Sequence, residues 1–332
     1  DCIDFEKGTV NIGGKDYPMK DYDFPTVDPQ NPYALTPEEQ DVIEHLAGSF
    51  MSSHRLAKHM QCMLEHGSLY KVVNNNALFH GAFPLNPDGS FAEMEIQGKK
   101  YSGKALLDQV DFLVRAAYYA PEDSAMSQYG RDFIWYQWCG PVAPPFDKDK
   151  MATFERYLLS DKETHTEVMG SYFTLKNDPA VCDKVLRELG VEDTDHAHII
   201  NGHIPVKTKK GESPIKAGGK LLVIDGGYSK AYQGETGIAG YTLIYNSRSL
   251  KLVQHEPFES REMAVKNGMD VISETKVLEF AERRQLVRDT DIGRELRSQI
   301  DDLRQLLSAY RSGALNSKAL FLRDKSSHSH AQ

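Results

Sequence analysis

The sequence is poor in cysteine. Cys2, Cys62, Cys139 and Cys182 are scattered over 332 residues with no Cys-x-x-Cys pair. That spacing argues against a disulfide framework or a zinc knuckle and fits reduced thiols in a cytoplasmic protein. Long apolar runs are missing too: no stretch approaches the roughly 20 residues of a membrane-spanning helix. There is no basic excess. The formal net charge is −9, which speaks against broad nucleic-acid binding but not against a local basic pocket for a phosphorylated metabolite. The chain does not open on Met, and no basic-then-apolar leader follows. It therefore reads as processed, engineered or a piece of something longer. What is present is ordinary globular material, 40% hydrophobic and 26% charged, long enough for one large or two medium domains.

Residues 1–35 read as an extended lead-in. A short hairpin is expected about residues 9–12, and Pro25, Pro29 and Pro32 keep the following chain out of helix. Thr36-Pro37-Glu38-Glu39 has the form of a capping box with proline at the first helical position. Helical spacing then continues through Val42, Leu46, Phe50, Leu56, Met60 and Leu64, with Gly67 as the stop. Residues 69–73 and 77–79 read as strands about an Asn74-Asn75-Asn76 turn. A helix is expected over 106–120, and the aromatic, proline-bearing stretch 130–150 reads as loop. A short helix over 180–189 ends at Gly190. Residues 198–200 and 221–225 read as buried strands, and 241–245 with 250–253 as a hairpin. The remainder reads as mostly helical, with a capped helix carrying Ile292, Leu296, Ile300, Leu303, Leu307 and Tyr310 and ending at Gly313. Residues 316–332 are expected to be a disordered tail. Its His328 and His330 are not read as metal ligands.

Three strand ends carry chemistry-bearing residues: Phe79-His80-Gly81, Asn201-Gly202-His203 and Ile224-Asp225-Gly226-Gly227. Ligands in layered α/β proteins sit where buried strands end in loops. Imidazole suits ions such as Mn, Fe and Zn. Plainer alternatives stand beside that reading. A lone strand-end histidine is more often a hydrogen-bonded structural residue, and Asp225-Gly226-Gly227 is more often a turn. The 292–310 stripe is core or oligomer packing, and Trp135 and Trp138 fill a core or a pocket wall. Lys207, Lys209, Lys210, Lys216 and Lys220 form either a solvated charge run or a phosphate-holding group.

The runs Asn201-Gly-His-Ile-Pro-Val-Lys207, Pro214-Ile-Lys216, Leu221-Leu-Val-Ile-Asp-Gly-Gly-Tyr-Ser-Lys230 and Thr236-Gly-Ile-Ala-Gly-Tyr-Thr-Leu243 closely resemble the class 3 fructose-1,6-bisphosphatases of bacteria. So do residues 74–84, 135–141, 154–156 and 289–293. The resemblance implies an α/β fold: the C-terminal half of a calcineurin-like metallophosphoesterase β-sandwich flanked by helices, spanning residues 36–315. It implies that His80 and His203 ligate one Mn ion of a two-metal site, and that Asp225 orients a ligand or loop by hydrogen bonds. It implies hydrolysis of fructose 1,6-bisphosphate, with Lys207, Lys216 and Lys230 as candidates for contacting substrate phosphate, and a homo-oligomer. The family's Asp-x-His, Gly-Asp-x-x-Asp-Arg-Gly and Gly-Asn-His-Asp motifs do not occur in this sequence. A chain without them is expected to need the family's N-terminal half, in cis or in trans, and to have little activity alone. The alternative is a non-catalytic module that binds a sugar phosphate or an effector, or mediates oligomer assembly. A different phosphoesterase on the same fold is disfavoured by the specific match over residues 201–243.

Overall fold

A computed structural model describes residues 2–227, 229–258, 260–268 and 272–315. The chain divides into two compact units, Asp1–Gly227 and Tyr228–Gln332. The tail at 316–332, expected to be disordered, lies outside the described residues.

The first unit opens on more than an extended lead-in. Strands β1 (Ile3–Asp4), β2 (Thr9–Ile12) and β3 (Lys15–Pro18) form an antiparallel meander. Val10 and Met19 bury against Leu159, and the Lys20 N–H donates to the Leu158 carbonyl at 2.7 Å.

The single helical run expected over 36–67 is two helices, α1 (Pro37–Met51) and α2 (His54–His66). The capping box is present: the Thr36 hydroxyl accepts from the Glu39 N–H, and the Glu39 carboxylate accepts from the Thr36 N–H at 2.8 Å. The break falls at Ser52-Ser53, where Ser53 turns extended and its hydroxyl accepts from the Leu56 N–H. Serine bonds to nearby backbone more readily than it sustains a helix interior. That local preference outweighs the continuous apolar spacing.

Strands β4 (Tyr70–Val73) and β5 (Asn76–Phe79) pair antiparallel. Asn74 and Asn75 between them have φ of 49° and 63°, the left-handed conformation that asparagine tolerates in tight hairpin turns. A second hairpin, β6 (Glu93–Ile96) and β7 (Lys99–Ser102), leads into α3 (Gly103–Tyr119). The stretch expected as loop from 130 is helical up to Cys139, within α4 (Ala125–Cys139). Ser124 starts this helix by accepting from the Ser127 N–H at 3.1 Å, a cap outweighed in the sequence by the prolines that follow. Met94, Ile96, Leu106, Val110, Leu113 and Phe133 form one core across these elements. Trp135 and Trp138 do not fill it: they are 60% and 62% exposed and meet edge to face with ring centroids 5.5 Å apart.

Short helices α5 (Thr153–Leu158) and α6 (Tyr172–Leu175) precede α7 (Pro179–Glu188), which Asp178 caps. Strands β8 (Ile199–Asn201), β9 (Ile215–Lys216) and β10 (Leu221–Val223) complete a five-stranded sheet of order β4-β5-β8-β10-β9. Its middle, β5-β8-β10, is parallel. Ile199, Ile200, Leu221, Leu222 and Val223 are all buried, as the unbroken apolar runs of parallel strands require.

The second unit begins with α8 (Lys230–Thr236). Strands β11 (Gly240–Tyr245) and β12 (Ser249–His255) form the expected hairpin. After α9 (Arg261–Asn267), the segment expected to be helical contains a third strand, β13 (Ser273–Phe280), antiparallel to β12. Thr275, Val277 and Phe280 give it β-forming character without the clean alternation that betrays a strand, because its face is largely exposed. Helix α10 (Asp291–Arg311) starts at Thr290, whose hydroxyl accepts from the Gly293 N–H at 3.2 Å. Among the described residues, no helix is long and apolar enough to cross a membrane.

Candidate active site

The parallel register aligns Phe79 with Asn201 and Asn201 with Val223. The carboxyl ends of β5, β8 and β10 are therefore level, and the residues just beyond them emerge together. His80, His203 and Asp225 are those residues. The His80 and His203 rings meet edge to face, with centroids 5.4 Å apart. A Cβ added at Gly202 would lie 3.0 Å from His80 Nδ1 and 3.8 Å from Asp225 Oδ2, so glycine leaves room for the imidazole and carboxylate to converge. His203 holds φ of 73°, a left-handed conformation rare outside glycine and asparagine that clusters at functional sites.

Hydrogen bonds fix this corner. The Asn201 side chain is 1% exposed, and its Nδ2 donates to the carbonyls of Phe79, His80 and Gly81 at 3.1, 3.0 and 2.9 Å. The Gly202 N–H adds a bond to the His80 carbonyl at 3.2 Å. Asp225 accepts the Gly227 N–H at Oδ1, at 3.2 Å, and its carbonyl accepts the Val206 N–H at 2.8 Å. Burial, then the neighbouring His80 and the Lys148 ammonium, depress the His203 pKa below the usual imidazole value, while Asp225 opposes them. A neutral imidazole is the form that offers a lone pair.

The other sequence candidates are less gathered. Lys207 and Lys216 are half-buried. Lys207 follows Val206, and its N–H donates to Glu212 at 3.0 Å. Lys216 pairs with Leu221 on the sheet edge. Lys230 is exposed and opens α8 in the second unit. Sequence reasoning missed Asn201 as a clamp and missed Lys176 altogether. Lys176 is 4% exposed, with Nζ 3.4 Å from Asn201 Oδ1. Nothing in its local pattern separates it from the other lysines.

Two imidazole nitrogens fit two positions around a transition-metal ion. They do not complete a site: no three His, Cys, Asp or Glu side chains form a metal-holding group among the described residues. A separate cleft of about 430 Å³ is lined by Glu93, Glu95, Asp132, Tyr129, Phe133 and Tyr136. Its three carboxylates would repel a phosphate ester, so the strand ends remain the better candidate.

The first unit is thus an α/β domain with paired histidines at the ends of parallel strands. The family model for Firmicute fructose-1,6-bisphosphatase matches residues 1–312, and the chain belongs to that family. It is 56% identical over 316 residues to the fructose-1,6-bisphosphatase class 3 of Bacteroides fragilis, covering 95% of this chain and 47% of that protein. It is 54% identical to the protein of the same name in Bacteroides thetaiotaomicron and 52% to that in Clostridium tetani, again covering 95% of this chain and 47% of each relative. The chain spans about half the length of the curated relatives it matches. No solved structure matches it.

Proposed function

We propose that this chain supplies one side of the active site of a class 3 fructose-1,6-bisphosphatase. In this reading residues 36–315 belong to a two-sheet domain of the calcineurin-like metallophosphoesterase kind, and the reaction is hydrolysis of a phosphomonoester of fructose 1,6-bisphosphate. The observation that carries the reading is the levelled ends of β5, β8 and β10, which bring His80, His203 and Asp225 together.

His80 and His203 are the nitrogen donors this chain offers to Mn2+, the remaining donors lying in the part of the relatives that it does not span. Because the donors present do not complete a metal position, the roles that follow belong to the chain's own groups. His203 is held neutral by burial and its cationic neighbours. Asn201 holds the β5 end against β8, so that His80 keeps its place. Asp225 shapes its own loop through the Gly227 N–H, and its charge offsets the positive surroundings of His203. Lys207, Lys216 and Lys230 are the candidates for holding substrate phosphates as point charges.

The chain alone has little or no phosphatase activity in this reading, and the N-terminal half of a class 3 relative, added in trans, restores it. Phosphate release from fructose 1,6-bisphosphate with Mn2+ present tests both statements. Turnover by the isolated chain, or none in the mixture of two folded halves, removes the reading. The second outcome favours a non-catalytic sugar-phosphate-binding or assembly module, the alternative supported by the lack of a metal-holding group of three His, Cys, Asp or Glu side chains among the described residues.

A further inference from the structure

Among the described residues, Lys176 is the only lysine that is buried, at 4% exposure. It follows α6 directly, and its side chain runs under the aromatic pair of that turn. Nζ lies 5.6 Å from the Tyr172 ring centroid and 5.2 Å from that of Phe173. The opposite neighbour of Phe173 is His203, whose ring centroid is 6.1 Å away. An ammonium has three N–H donors, yet its single polar partner among the described residues is the Asn201 amide oxygen at 3.4 Å.

A buried cation without a carboxylate is costly and is retained only where something compensates it. The two rings compensate in part through their π faces. Asn201 does not need the ammonium to orient it, since its amide N–H groups already face three carbonyls. The nearby charges deepen the deficit. Lys216 acts on Lys176 as a like charge, and Lys148 and Lys176 both act on His203 as cations. Lys148 has its own acid, Glu167, at 2.9 Å; Lys176 has none among the described residues.

Resting on the phosphatase reading, we propose that Lys176 is an anion-receiving group of the same site, whose ammonium takes a phosphoryl oxygen beside the His80–His203 pair. A transferring phosphoryl group spreads negative charge over its oxygens, and a preorganised, water-poor ammonium is the group that answers it. Burial, and then Lys216, pull the Lys176 pKa down to about 8, so the group is still largely protonated at neutral pH.

Inorganic phosphate is the probe. Binding to the 332-residue chain is measured by titration calorimetry and by the phosphate-induced rise in unfolding temperature, for the unmutated chain, Lys176→Met, Lys176→Arg and the exposed control Lys58→Met. Phosphate is expected to raise the unfolding temperature of the unmutated chain and of Lys58→Met. Lys176→Met should bind about tenfold more weakly or worse, with Lys176→Arg retaining part of the affinity. Without phosphate, Lys176→Met should unfold no lower than the unmutated chain, because methionine removes an uncompensated charge and keeps the stem; a purely structural lysine would give a lower value. Should Lys176→Met not fold, 15N-lysine labelling of the unmutated chain reads the same contact as a phosphate-dependent shift of the buried ammonium signal.

Unchanged phosphate affinity in Lys176→Met, no phosphate-dependent shift of that signal, or no stabilisation of the unmutated chain by phosphate overturns the assignment. Turnover by the two-half mixture with an unchanged kcat/KM in Lys176→Met also overturns it and leaves the phosphatase reading standing. Phosphate binding lost in Lys176→Met, with no turnover in any mixture, supports the anion site and removes the phosphatase reading.

Discussion

The Asn201 side chain reaches across from β8 and donates to the His80 carbonyl at 3.0 Å, while also holding the carbonyls on either side of it. One buried amide thus ties the first histidine of the candidate site to the strand that leads to the second. Asn201→Ala removes a donor from three carbonyls, of which that of His80 keeps the Gly202 N–H, and each group left unsatisfied costs of order 1 kcal/mol or more. A loss of about 2–3 kcal/mol is expected in urea unfolding. An unchanged midpoint would show that the clamp is not stabilising.

His80 and His203 should separate activity from stability. His80 is exposed, and neither ring fills the core. His80→Ala and His203→Ala are expected to abolish phosphate release by the two-half mixture while moving unfolding stability by less than about 1 kcal/mol. Full activity in either variant would remove that histidine from the site.

Asp147 is a buried acid in a left-handed backbone conformation. It is 5% exposed, its Oδ2 has no hydrogen-bond partner among the described residues, and its φ is 44°. Desolvation, opposed by a bond from the Val142 region, raises its pKa from 3.8 to about 6. Between those values the folded protein holds a proton that the unfolded chain has released. The stability tied to this group is therefore full below about pH 4, declines as pH rises to about 6, and is flat above. Asp147→Asn should stabilise by about 1–2 kcal/mol at pH 7, a figure reduced for partial solvent screening. It should do little at pH 4, with urea unfolding at the two pH values as the measurement. An equal effect at both would sink this account.

Gly81 sits where the β5 end meets the following loop. A Cβ there would run into the Pro144 carbonyl oxygen, which already accepts the Ala82 N–H at 2.7 Å. Backbone cannot yield as a side-chain tip does, so Gly81→Ala should cost about 1–3 kcal/mol. It should also lower turnover in the mixture by shifting His80. Calorimetric unfolding checks the first effect and phosphate release the second.

What the sequence by itself determined is local. The Thr36–Glu39 capping box, the Asn74-Asn75 turn and the apolar strands about Ile199 and Leu221 are visible because caps, left-handed turns and unbroken β-branched runs are decided by a few adjacent residues. The strand-end histidines were legible for the same reason, each being followed or preceded by glycine at the end of such a run. Where two local signals competed, the weaker was followed: apolar spacing over the Ser52-Ser53 break, and the prolines after Cys139 over the Ser124 cap. The tertiary structure decided the rest. Only the register of β5, β8 and β10 brings His80, His203 and Asp225 to one place. Only packing picks Lys176 out of the many lysines and makes Asn201 a clamp across 121 positions, because burial and long-range pairing depend on what the fold brings alongside a residue rather than on its neighbours in the chain.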